Sequence, residues 1–186
     1  MRNLLCAVLL SSAWVFPNVC HAGPFGLEAG MSRTEVVQKI GKSAIVSESK
    51  DDILFSTVPI RNLYFESYDC FFDQNGKLWA IHAWSKPMPT KSEGEDLRDS
   101  FDTLKTGLEH KYGKVLFVTG SRTSGIKWMD IPGPRKVFMG AYWDGSGEYS
   151  RSMHIDKIAL ELEQTDKDHG FIELNYEFNT MIEDSL

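Results

Sequence analysis

Four histidines lie beyond residue 22: His82, His110, His154 and His169. No two are two or four residues apart, the spacing that puts two imidazoles on one strand or helix face to hold a metal. Asp166, Asp168 and His169 could gather a cation in a loop. No glutamate follows at EF-hand distance, however, and an acidic hairpin turn accounts for all three. The carboxylates Glu161 with Glu163, Glu173 with Glu177, and Asp99 with Asp102 fall at alternate or helical-surface positions. Glycosidic cleavage needs two carboxyl groups facing each other across a cleft. These spacings read as solvated faces.

Serine chemistry fares no better. Ser47-x-x-Lys50 and Ser124-x-x-Lys127 match the nucleophile pattern of penicillin-recognising enzymes, and Lys105-Thr106-Gly107 matches another of their motifs. Lys105 falls inside a helical pattern where that motif requires a strand, there is no Ser-Asp-Asn, and the chain is too short for that fold. No catalytic set, cofactor motif or metal site emerges.

The aromatic residues stand out instead. Trp79, Trp84, Trp128 and Trp143, with Phe138, Tyr142, Tyr149 and Phe178, exceed the needs of a simple two-layer core. Two readings follow. Either they fill a core, or some form an exposed patch for a protein partner, with Trp84, Trp79, Trp128 and Trp143 as the candidate binding residues. Strict alternation would put Leu78, Ala80, His82 and Trp84 on one face of their strand, with Trp79, Ile81 and Ala83 on the other. In that setting His82 reads as a hydrogen-bonded or edge-exposed strand histidine.

The elements that must position these residues are well marked. Ser32-Arg33-Thr34-Glu35 is a capping-box pattern, Val36, Val37 and Ile40 supply an apolar face, and Gly41 ends the helix. Ser92-Glu93-Gly94-Glu95 repeats the box. Leu97, Phe101, Leu104, Leu108 and Tyr112 then form one stripe of a longer helix ending at Gly113. Asn75-Gly76 between Leu63–Asp73 and Leu78–Ser85 predicts a hairpin. Ile53–Thr57, Val115–Thr119, Ile126–Met129, Val137–Trp143, Ile158–Glu163 and Phe171–Phe178 read as further strands. The alternation of Ile158, Leu160 and Leu162 with Ala159, Glu161 and Glu163 gives one buried and one wet face. The order is helix, meander, longer helix, longer meander. The expected fold is therefore α+β and two-layer: two helix-plus-antiparallel-sheet units, approximately 23–90 and 91–186, forming a degenerate tandem repeat.

Residues 1–22 are of another kind. Arg2, the apolar run Leu4–Phe16 and the small-x-small site Cys20-His21-Ala22 read as a signal peptide cut after Ala22. The residues before Cys6 and Cys20 do not form a lipidation box, which favours a soluble exported chain, and no later stretch approaches the ~20 apolar residues of a membrane span. Losing Arg2 leaves 19 of the 20 basic residues against 26 acidic ones, a net charge of −7. Such a chain repels phosphate backbones, so nucleic acid is not an expected partner. Cys70 alone remains of the three cysteines. It reads as a small core residue, with an interchain disulfide as the alternative.

The stretch Gly30-Met31-Ser32-Arg33-Thr34-Glu35-Val36, continuing to Ile40-Gly41-Lys42, resembles the opening of small cell-envelope domains. These include the small lipoprotein of the outer-membrane β-barrel assembly machinery and the β-lactamase inhibitory protein, a tandem pair of helix-plus-sheet units. Phe25–Met31, Phe65–Tyr68 and Tyr176–Asn179 are also similar to segments of exported bacterial proteins. The resemblance implies a fold that binds other proteins without chemistry of its own. The expected function is thus a periplasmic or secreted, non-enzymatic protein-binding factor, such as an inhibitor, immunity or envelope accessory protein, whose partner is an envelope or secreted protein. The alternatives are a small hydrolase or carbohydrate-binding protein using a groove between the units, and a structural component of envelope assembly.

Overall fold

A computed structural model describes residues 23–90, 94–120, 136–166 and 168–179. The expected leader, Met1–Ala22, lies outside these residues, as do Trp128 and the strand expected at Ile126–Met129. The helices are α1 (Arg33–Ile40), α2 (Glu95–Tyr112) and α3 (Glu148–Ser152). The strands are β1 (Ile45–Glu48), β2 (Asp52–Phe55), β3 (Ser67–Phe72), β4 (Leu78–Trp84), β5 (Met88–Pro89), β6 (Phe117–Thr119), β7 (Lys136–Asp144), β8 (Ile155–Gln164) and β9 (His169–Phe178).

All nine strands join one antiparallel sheet in the order β1-β2-β3-β4-β9-β8-β7-β6, with β5 also on β9. This corrects the expected architecture. The molecule is dominated by a single sheet and is not two helix-plus-sheet units, because β4 pairs with β9 and fuses the two meanders edge to edge. The helices are unequal as well. Helix α2 buries Leu97, Arg98, Phe101, Leu104, Leu108 and Tyr112 and packs on β8 and β9, whereas α1 buries only Val36. Cover for the first meander comes from irregular chain: Phe25, Leu27, Val58 and Phe65 join the core. The Phe25 ring sits edge-on to Tyr68 at 5.0 Å and to Tyr176 at 5.7 Å, tying β3 to β9.

Local signals account for the helix ends and the first hairpin. Ser32 Oγ accepts from the Glu35 N–H at 3.3 Å, and Glu35 Oε2 accepts from the Ser32 N–H at 2.7 Å, completing the first capping box. These bonds with Ser32 hold the Glu35 carboxyl below its usual range. The second box begins at Ser92, outside the described residues. Helix α2 is capped by Gly94, at φ 62°, without a side-chain cap, so it starts two residues later than the Ser92 pattern implies. In the β3–β4 turn, Asp73 Oδ1 accepts from the N–H groups of Asn75 and Lys77, both at 2.8 Å, and Gly76 takes the positive φ of 70° that favours glycine. The first strand of this hairpin begins at Ser67. Leu63, inside the expected strand, is 97% exposed.

Cys70 lies fully inside the core, and burial pushes its thiol up. An interchain disulfide would require unfolding around it. Among the described residues, no helix is long and apolar enough to cross a membrane.

Candidate functional site

Residues paired across neighbouring strands share a face of the sheet, so the register maps each face directly. One face carries Ile81, Ile158, Leu160, Leu162 and Ile172 against α2. On the other, the central row runs Leu54, Asp69, His82, Asn175, Ala159, Tyr142 and Phe117, from β2 to β6. The row on one side is Ser67, Trp84, Glu173, Glu161, Gly140 and Thr119. The row on the other is Asp52, Phe71, Ala80, Glu177, Lys157 and Asp144. Helix α2 packs on the opposite face, and from α3 Arg151 reaches the cavity on this one.

The aromatic side chains gather toward β3 and β4. Phe71 lies 4.7 Å from the His82 ring and 6.2 Å from Trp79, and His82 lies 5.9 Å from Trp84. Trp79 reaches this group through a register shift: Phe71 pairs with Ala80 and Phe72 with Leu78, leaving Trp79 as the extra residue. Strict alternation puts Trp79 on the face opposite Trp84; the bulge sets Trp79 against Phe71, while Trp84 lies beside His82 as alternation requires. Trp79 is 37% exposed and Trp84 half-buried. Trp143, by contrast, is 3% exposed, and its indole N–H donates to the Gly113 carbonyl at 2.9 Å, tying β7 to the end of α2. Of the four candidate tryptophans, the structure brings together Trp79 and Trp84 and puts Trp143 in the core.

Carboxyl groups gather toward β8 and β9. Oxygens of Glu161, Glu163 and Glu173 lie within 4.8 Å of one another. Each is engaged. Tyr142 Oη donates to Glu161 at 2.6 Å, His82 Nδ1 lies 3.3 Å from Glu173, and Glu163 hydrogen-bonds Glu173. Burial pushes Glu173 up, but its bonds to His82, Glu163 and Asn175 outweigh that and hold it below its usual range. The Tyr142 phenol is pushed up to about 12 by burial and by the Glu161 acceptor beside it. Asp69 is raised to about 6, first by burial and then by neighbouring Asp52, against a smaller opposing pull from His82. Two buried acceptor atoms here, Asp69 Oδ1 and Asn175 Oδ1, have no hydrogen-bond partner.

A cavity of about 830 Å³ opens over the β7–β9 part of this face, lined by His82, Asn175, Ala159, Glu161, Tyr142 and Phe117 among others. The small Ala159 gives it depth, and the stacked rings of Phe117 and Tyr142, 4.6 Å apart, wall one side. Gly140 is required there. A Cβ on it would come 2.4 Å from Tyr142 Oη, so the Tyr142 ring can lie across the strand only over glycine. Glu161 and Glu173 are direct cross-strand neighbours on one surface, and Glu161 and Glu177 both line the cavity. Elsewhere, the Lys105 of the apparent enzyme motif lies in α2, paired with Glu109 at 3.1 Å. Asp166 accepts from the Asp168 N–H at 2.7 Å in a turn, with His169 Nδ1 at 3.1 Å.

Sequence reasoning placed the carboxylates on a solvated face and so missed Asp69, Asn175, Tyr142, Glu161, Glu163 and Glu173 as a group. A usable signal was present. Counting outward from the Asp166–His169 turn pairs Gln164 with Gly170 and hence Glu161 with Glu173. Like charges placed directly opposite are destabilising and mark a position held for something other than stability. No family model, curated protein or solved structure matches this chain.

Proposed function

We propose that the protein is an exported, non-enzymatic protein-binding factor, an inhibitor, immunity or envelope accessory protein, that docks its partner on the open face of the sheet. One observation carries this reading: the register collects Trp79, Trp84, Phe71, Tyr142 and Phe117 beside half-buried polar groups on the face opposite α2. Aromatic anchors among polar groups that can be desolvated are the composition of binding hot spots. The Gly30–Lys42 resemblance and the leader-like first 22 residues support the export and binding parts of the reading.

The test is site-specific photocrosslinking of the full chain in its own cells. A crosslinker at Ser67, paired with Trp84 on the open face, should capture one defined protein that a crosslinker at Thr106, on the outer face of α2, does not. Equal capture from both sites, or none from Ser67, overturns the docking face. Retention of the leader on the cell-associated protein overturns export.

A further inference from the structure

Resting on the docking reading above, we infer that the open face receives a basic segment of the partner, with cationic side chains seated at Asp69 and at Glu173–Asn175 on either side of His82. The first reason is the charge of the rows. The three rows contain Asp52, Asp69, Asp144, Glu161, Glu173 and Glu177, and one lysine, Lys157. Glu177 already holds that lysine at 2.9 Å. Charge complementarity therefore calls for cations, and like-charged partners are rejected.

Hydrogen bonding gives the second reason. Asp69 Oδ1 and Asn175 Oδ1 are acceptors without donors, while Asn175 itself hydrogen-bonds Glu173. Arginine and lysine bring donors and no acceptor, so they can satisfy such atoms without creating new orphans. Both residues are half-exposed although these two atoms are not, so a change of side-chain torsion delivers each oxygen to an incoming donor. Asp69 and Asn175 stand on either side of His82, two strand spacings or roughly 10 Å apart. One guanidinium does not span that distance, which calls for at least two cationic side chains. The rings of Phe71 and Trp84, flanking His82, offer π-faces to the same cations.

A metal ion fits less well. The clustered oxygens of Glu161 and Glu173 are already taken by Tyr142 and His82, and the orphaned acceptors lie in two separate places.

The probe is the capped peptide Gly-Arg-Gly-Gly-Arg-Gly, titrated at pH 7.5 into the isotope-labelled full chain and followed by NMR. Its citrulline counterpart keeps the shape of arginine but carries no charge and has a carbonyl oxygen in place of one NH2 group. The arginine peptide should shift resonances of His82, Trp84 and Asn175. The citrulline peptide, and the arginine peptide with the double variant Asp69→Asn/Glu173→Gln, should each bind at least about tenfold more weakly. Equal binding of the two peptides, or undiminished binding by the double variant, overturns the inference, as does displacement of the peptide by calcium chloride with the same resonances shifted. Photocrosslinking from Ser67 separates the two levels. Partner capture unchanged in the double variant leaves the docking face standing and removes the basic segment. Loss of capture in the double variant, with its fold intact by NMR, supports both.

Discussion

The two faces of the sheet are made from the same strands and solve opposite problems. On the covered face, Ile81, Leu160, Leu162 and Ile172 are fully buried, and the indole of Trp143 finds a carbonyl acceptor. Even the charged Arg98 is stacked there, 4.5 Å from the Phe138 ring centroid. On the open face, carboxyl groups of the same β8 and β9 stand opposite each other, and two acceptors, Asn175 Oδ1 on β9 and Asp69 Oδ1 on β3, lack donors. Alternation along one strand therefore separates residues that stabilise the fold from residues that weaken it in the free protein. A fold tolerates the second kind where the groups act on something outside it.

The largest effect should come from the covered face. Phe101 is fully buried mid-way along α2, so Phe101→Ala should cost about 3–5 kcal/mol through lost transfer energy and a residual cavity. Urea denaturation measures this, and a loss no larger than that of an open-face truncation would break the comparison. Trp84→Ala provides the contrast. Its ring is half-buried beside His82, so the loss should be about 1–2 kcal/mol, while capture of a crosslinked partner disappears. A collapse in melting temperature would instead make Trp84 a core residue like Trp143.

The smallest effect has the opposite sign. Burial and Asp52 raise Asp69 from 3.8 to about 6 in the folded state, so the folded chain holds that proton more tightly than the unfolded one. The resulting stabilisation is present below about pH 4 and is lost as pH rises through about 6. Asp69→Asn removes this loss. Because the group is partly solvated, the gain at pH 8 should be only about 1 kcal/mol, or about 2–4 °C in Tm, and should vanish near pH 4. Thermal scans of both proteins at the two pH values measure it. A variant less stable than the parent at pH 8 would mean that the carboxylate has a structural partner.

Local order was legible because it rests on neighbours in sequence. The stripe Leu97, Phe101, Leu104, Leu108 and Tyr112 is buried as its spacing requires, and Ile158, Leu160 and Leu162 face inward as their alternation requires. The Ser32–Glu35 box closes within a single turn. Sequence pattern alone does not set where a helix starts: α2 begins at Glu95, after Gly94 in a left-handed conformation, and the Ser92 side chain lies outside the described residues. The candidate site was legible only in pieces. Trp84 and Trp79 could be singled out by type, yet a bulge, invisible in an alternation pattern, set Trp79 against Phe71, whose ring lies beside the His82 that Trp84 also touches.

Residue order by itself determined the long amphipathic helix, the Asn75-Gly76 hairpin, the first capping box and which side of β8 is apolar, since each depends on spacings of two to four residues. Tertiary structure alone decided that β4 joins β9, that one sheet replaces two units, and that Asp69, His82 and Asn175 stand in one row. Pairing between strands about 90 residues apart leaves no periodic mark in either of them. It is selected by the burial of Phe25, Tyr68, Tyr176 and the α2 stripe in one shared core, which no segment can bury alone.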